Sequence, residues 1–350
     1  MILTHKQKIA LAVAALLFPT LACRSAARLI IPDTPTPIPS PTLIPTFTPV
    51  PIPTATAVIT LSCPKVTTDI LGAAVYNQTG LSGKEGDSDA DVTYLVDYRV
   101  DGDQIESPHF NTVSDKFQDQ LHDRTTQEAI WSLFTNLIPS TWRTFVSEFV
   151  IFTDGRDNYL AAVNQADDDP KHWVLNVDIA DASPKTVLTY DLLHEYGHLL
   201  TLNAEQVNVS LPVYKDPDNK AIQESEEKAC EQYFTGEGCS KQDSYINTFF
   251  DRFWPYFYTE WQTIDAQDDK DKRERMLQDF YDTYQDQFLT DYAPTSPAED
   301  IAESFAFFIL SPRPENTSIA NEKISFFYEY PELVDLRRQI LNNICTEFQE

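Results

Sequence analysis

Basic residues are scarce in this chain of 350 residues: 26 lysines and arginines stand against 54 aspartates and glutamates, for a net charge of −28. That balance excludes nucleic acid and other polyanions as partners. The five cysteines include no C-x-x-C pair, which excludes a thiolate metal site. No internal repeat is evident, so a repeat array is excluded too. Long apolar runs are missing: the run near the start, "IALAVAALLFPTLA", is too short to span a bilayer comfortably. Histidine is rare, with six in the chain, and glycine, with nine, is far outnumbered by 23 prolines. What is there is 42% hydrophobic and 12% aromatic, enough for a sizeable core in one large or two-lobed unit.

The prolines are unevenly spread. The segment "IPDTPTPIPSPTLIPTFTPVPIPTA", residues 31–55, holds nine prolines and six threonines. Proline removes backbone donors and favours an extended helix, so this stretch reads as a tether rather than a packed domain. Upstream, a short basic segment, the apolar run and "TLAC" read as a signal peptide over residues 1–22. The pattern resembles a bacterial lipobox, with Cys23 lipidated and residues 23–62 forming a lipid-bearing stalk. Leu21 stands two before the cysteine instead of the usual three, and plain cleavage after Ala22 or an uncleaved anchor are the alternatives. The expected location is the bacterial cell envelope, outside the cytoplasm and lipid-anchored to the membrane. Four cysteines remain, and outside the cytoplasm these are expected to be oxidised. Of three pairings, Cys230–Cys239 closes the loop "CEQYFTGEGC", which leaves Cys63–Cys345 to staple the ends of the folded part.

Residues 63–350 read as one catalytic-sized domain of the α+β class. Alternating or β-branched stretches predict strands over 91–100, 143–154 and 172–180. Helical spacing predicts helices over 114–138, 186–203, 220–234, 243–262, 268–289, 297–310 and 331–346. The result is a mixed strand and helix lobe followed by a mainly helical one, with a cleft between them. His109, His122 and His172 stand alone. The aspartates of 86–92 read as a solvated acidic turn, and Glu224, Glu226 and Glu227 as a solvated helix face.

The informative stretch is "LTYDLLHEYGHLLTLN", residues 188–203. Ser183-Pro184 supplies an N-cap and a first-turn proline for a helix starting near Lys185. His194 and His198, four apart, then share one helix face within reach of a single ion. Glu195, one step round, can contact water at a metal without binding the metal. This is the H-E-x-x-H pattern of two nitrogen ligands and a general base, and it points to zinc. Gly197 lets a neighbouring backbone approach closely. A third ligand is needed, and the helix opened by Ser296-Pro297 offers Glu299 and Glu303 on one face. Glu299 is favoured as ligand, with Glu303 accepting the free N–H of a liganding histidine. Alternatively Ser296-x-x-Glu299 is a capping box and Glu303 is the ligand.

H-E-Y-G-H followed by a helix with E-x-x-x-E resembles the gluzincin metallopeptidases, and within them the family of the anthrax lethal factor catalytic domain. The first Glu of their second helix binds zinc, and the acid four later supports a histidine. A tyrosine stands seven before that Glu, as Tyr292 does before Glu299, with "AESF" at 302–305 similar to the run that follows. The resemblance covers some 35 residues. It implies a zincin-like fold, Tyr292 as hydrogen-bond donor to the oxyanion, and a protein or peptide substrate. About a hundred residues separate His198 from Glu299, longer than usual in these families. The expected activity is zinc-dependent peptide hydrolysis by a monomer. The alternatives are an inactive peptidase-like surface binding protein and a zinc amidase acting on cell-wall peptides. The strand over 172–180 is expected to form the cleft edge, where an extended substrate adds as a strand.

Overall fold

The computed structural model of the chain describes residues 63–77, 92–155, 159–315 and 317–349. Cys23, the signal peptide, the tether and most of the acidic turn lie outside them. Strands β1 (Thr93–Asp101) and β2 (Gln104–Phe110) form a hairpin. Gly102 at its turn has φ 58°, a left-handed conformation that suits glycine. Strand β3 (Val146–Thr153) runs antiparallel to β1, and β5 (Trp173–Asp178) parallel to β3. Strand β4 (Ala161–Gln165) is antiparallel to β5 on its far side, giving the order β2-β1-β3-β5-β4. The 172–180 stretch is therefore not the sheet edge. All six residues of β5 are buried, as its near-continuous apolar run suits an interior strand. The edge belongs to β4, whose half-buried "AAVNQ" carries little pattern to read.

Twelve α-helices complete an α+β architecture among the described residues. The first are α1 (Pro64–Asn77), α2 (Gln118–His122), α3 (Arg124–Leu137) and α4 (Lys185–Leu202). The single helix expected over 114–138 is broken because Asp123 turns out of helical geometry and accepts the Thr126 N–H at 3.1 Å, capping α3. Helix α4 begins at Lys185 as expected, but Ser183 does not cap it. Pro184 itself is the extended residue before the first turn, and no side chain bonds the free N–H groups there.

Beyond α4 a small sheet pairs β6 (Val207–Val209) with β7 (Gly238–Ser240), and between them lie α5 (Leu211–Lys215) and α6 (Lys220–Ala229). Helix α6 stops five residues early because Cys230 is extended. The span 243–262 is two helices, α7 (Tyr245–Phe253) and α8 (Tyr258–Asp265), since Pro255 has no N–H to continue the first. Helices α9 (Lys270–Tyr284), α10 (Pro297–Leu310), α11 (Ile319–Phe326) and α12 (Pro331–Glu347) follow. Most of the aromatic stretch 249–261 is core: Phe249, Phe253, Trp254, Phe257 and Trp261 are buried, whereas Tyr256 is exposed.

A smaller cluster of Tyr94, Val150, Phe152, Ala166 and Val174 stands apart from the larger hydrophobic core, which runs from Ile70 to Ile344 and draws on the main sheet and most helices. Helices α4 and α10 are buried at its centre and cross where a Cβ on Gly197 would come 2.9 Å from the Ala302 Cα. Two disulfides brace it, Cys63–Cys345 and Cys230–Cys239. They point to an oxidising, extracytoplasmic setting. No helix among the described residues is long and apolar enough to cross a membrane.

Candidate metal centre

Leu192, Leu193, Leu199 and Leu200 are buried and fix the rotation of α4. That rotation turns His194 and His198 together toward α10. The close crossing at Gly197 brings the first turn of α10 over them. Ser296 caps that turn, accepting the Glu299 N–H at 3.1 Å, and Pro297 occupies its start.

The Glu299 carboxylate does not turn back to complete a capping box. Its Oε2 lies 3.0 Å from His194 Nε2 and 3.2 Å from His198 Nε2, and the two ring nitrogens are 3.1 Å apart. Three donor atoms thus form a nearly equilateral triangle, all buried or half-buried. An ion bound tetrahedrally at about 2.0–2.1 Å would set its ligand atoms roughly 3.3 Å apart. His194, His198 and Glu299 can therefore hold a metal ion. Glu303 is not in the triangle. Its Oε1 is 2.8 Å from His194 Nδ1, and its Oε2 accepts the Tyr190 hydroxyl at 2.8 Å. An acid on the ring nitrogen turned away from the ligand triangle orients a metal-binding imidazole.

The electrostatics call for positive charge at the triangle. Burial alone would lower the His194 pKa, but its contacts with Glu299 and Glu303 prevail and raise it well above the usual value. His198 is likewise raised, against burial, by the charge and hydrogen bond of Glu299. Burial pushes Glu299 up, but the two histidines outweigh it and hold the carboxyl well below the usual range. A proton on the rings does here what a cation between them would do.

Glu195 is buried beside this group, and burial raises its pKa. Its carboxylate accepts the N–H of Val163, on edge strand β4. The ring of Tyr292 lies 6.0 Å from that of His194. The charge of Glu299, then burial, lifts the Tyr292 hydroxyl well above its usual value, so it stays protonated.

Sequence reasoning missed three nearby groups. Tyr190, on Glu303, stands four residues before His194 on the same helix face, a spacing that could have found it. The Val163 N–H depends on an unread strand. Glu237 comes from the loop before β7, and the charge of His198 acts on it. Of the acids read as solvated, Glu226 accepts the Ser210 hydroxyl at 2.8 Å, and burial raises the pKa of Glu227. The three other described histidines join no cluster: His172 meets Asp169 at 3.3 Å, and His122 packs on Phe110. Asp154, Asp178 and Asp181 form a second carboxylate group, but Asp178 accepts the N–H groups of Asp154 and Ala180 and so serves the loop backbone.

On the far side of α10, Asp300 is fully buried with Lys323 of α11 at 2.6 Å and the Trp254 indole N–H at 2.8 Å. This pair ties the helix that carries Glu299 to the helices behind it. No known protein family matches the chain, and neither a curated protein nor a solved structure matches it.

Proposed function

We propose that this chain is a zinc-dependent peptide-bond hydrolase held outside the cell membrane by a lipidated Cys23. The observation that carries the reading is the triangle of His194, His198 and Glu299 with the buried carboxylate of Glu195 next to it. The donor set fits zinc: two imidazoles and one carboxylate, three ligands with room for a fourth. Zinc held there supplies Lewis acidity, acidifying water and polarising the scissile carbonyl.

The chain's own groups do the rest. Glu195 takes the water proton and later delivers it to the leaving nitrogen. A raised pKa suits both halves of that task. Protonated Tyr292 donates to the oxyanion of the tetrahedral adduct. Strand β4 receives the substrate. Asp178 N–H bonds Leu160 O, and Ala166 N–H bonds His172 O, both at 2.8 Å. By the two-residue period, Ala161 and Val163 turn their backbone groups away from β5. An extended peptide lying there as an added strand has its scissile bond beside Glu195 and displaces that carboxylate from the Val163 N–H.

The experiment pairs metal analysis with a peptide library. Purified protein is expected to hold one zinc per chain and to cleave peptides. Glu195→Gln should keep the zinc and lose about 10²–10⁴-fold in kcat/KM. Full activity in Glu195→Gln would refute the mechanism.

A further inference from the structure

The first turn of α10 carries a second buried acid that the mechanism leaves idle. Asp300 follows Glu299 directly, so the two side chains leave the helix about 100° apart. Glu299 reaches the histidines, and Asp300 reaches the helices behind. Two donors converge on one of its oxygens. Lys323 Nζ, from α11, lies 2.6 Å from Asp300 Oδ2, and the Trp254 indole N–H, just past the end of α7, donates to the same atom at 2.8 Å. Asp300 and Lys323 are wholly closed to solvent. The ammonium lies 4.1 Å from the Phe288 ring centre and 6.0 Å from those of Phe249 and Phe253, so aromatic rings hold the cation in place.

This cluster is a poor way to add stability. Two charges taken out of water gain little or nothing over apolar groups of the same shape. The carboxylate is also incompletely served, since Asp300 Oδ1 is buried and accepts no hydrogen bond. What the cluster supplies is direction. Apolar packing tolerates small rotations of a helix, whereas two donors meeting at one oxygen resist them. The crossing at Gly197 and Ala302 sets how near α10 comes to α4, but a contact at one point does not fix how α10 is turned about its axis. The ligand triangle depends on that turn, because a ligand atom must be held to within about 0.5 Å. A second indole steadies the same segment. Trp261 Nε1 donates to Pro294 O at 3.0 Å and to Thr295 O at 3.2 Å, just ahead of the Ser296 cap. Its ring centre lies 5.9 Å from that of Trp254.

We propose that Asp300 is a positioning residue of the metal centre: clamped by Lys323 and Trp254, it sets the rotation of α10 so that the Glu299 carboxylate completes the triangle with His194 and His198. The inference rests on the metal-binding part of the hydrolase reading and not on cleavage. It also gives the long stretch between His198 and Glu299 a task, since Trp254 and Trp261 both come from it.

The test uses the full chain, stripped of metal and titrated with zinc or cobalt(II) against a chelator. Asp300→Leu with Lys323→Met replaces the pair by apolar groups of similar size. This double variant should keep a cooperative urea transition yet bind zinc about tenfold more weakly or worse. The visible spectrum of its cobalt(II) complex should differ from that of the wild type, because the absorption of this ion follows the geometry of its ligands. Trp254→Phe removes one donor and keeps the pair, and should give a smaller change of the same kind. Leu121→Ala, in α2 against β1, empties part of the core elsewhere. It should lower the urea midpoint and leave zinc affinity and the cobalt spectrum as they are. The inference is overturned if the folded double variant binds both metals as the wild type does, or if Leu121→Ala weakens zinc as much. If the double variant does not fold, Trp254→Phe decides, and wild-type affinity and spectrum there overturn the inference. A wild type that binds zinc but cleaves no peptide would sink the hydrolase reading alone, and the metal titrations would still decide the role of Asp300.

Discussion

Two carboxylates one helical turn apart, Glu299 and Glu303, meet the same histidine at different nitrogens. The difference sorts their roles. Glu303→Ala should weaken zinc about 10–100-fold, the usual loss of an orienting partner, and Glu299→Ala should weaken it more. Chelator competition ranks the two, and the reverse order would make Glu303 the ligand. The histidines also predict a pH effect in the metal-free protein. Their folded pKa values lie above the unfolded value of about 6.5, so their contribution is complete below that pH. It is lost as pH rises through the raised folded values. The melting temperature of chelated protein should therefore fall as pH rises above about 6.5, and added zinc should flatten the trend.

At the scale of elements, the crossing of α4 and α10 sets the site. A Cβ at residue 197 meets the backbone of Ala302, which cannot swing aside. Gly197→Ala is expected to cost about 1–3 kcal/mol, read as a lower denaturation midpoint, with weaker zinc binding because Glu299 is pushed back. An unchanged midpoint and affinity would show that the helices part freely. These two helices were also the most legible in the sequence. Pro297–Leu310 runs as expected because Ser296 caps it and Pro297 opens it, and Lys185–Leu202 because its apolar residues admit only a buried helix. Where periodicity continued across a local interruption, at Asp123 and Pro255, it promised one helix and the chain made two. Strand β4 was invisible because alanine favours no sheet and half-exposed residues show no alternation. Its presence moves the sheet edge off β5. Glu237 was unreadable for another reason: its place near His198 comes from loop closure and packing, which leave no local spacing.

Across the whole molecule, the four described cysteines follow from counting and loop geometry, and their bonds lie as far apart in role as in length. Cys63–Cys345 spans 282 residues and holds α1 to α12. Breaking it with Cys63→Ser and Cys345→Ser together should cost about 2–5 kcal/mol, seen in urea denaturation. Cys230–Cys239 spans nine residues and is placed to stiffen the Glu237 loop more than the fold.

The ligand triangle has a topological meaning of its own. Its members lie up to 105 residues apart along the backbone, so an ion there knots a ring of polypeptide shut as a covalent link would. That ring lies inside the 282-residue one and encloses the nine-residue one, three closures nested like rings on one spindle. With an ion held there, stripping it would open the middle ring alone, and the stretch between α4 and α10 is where the chain would first come loose.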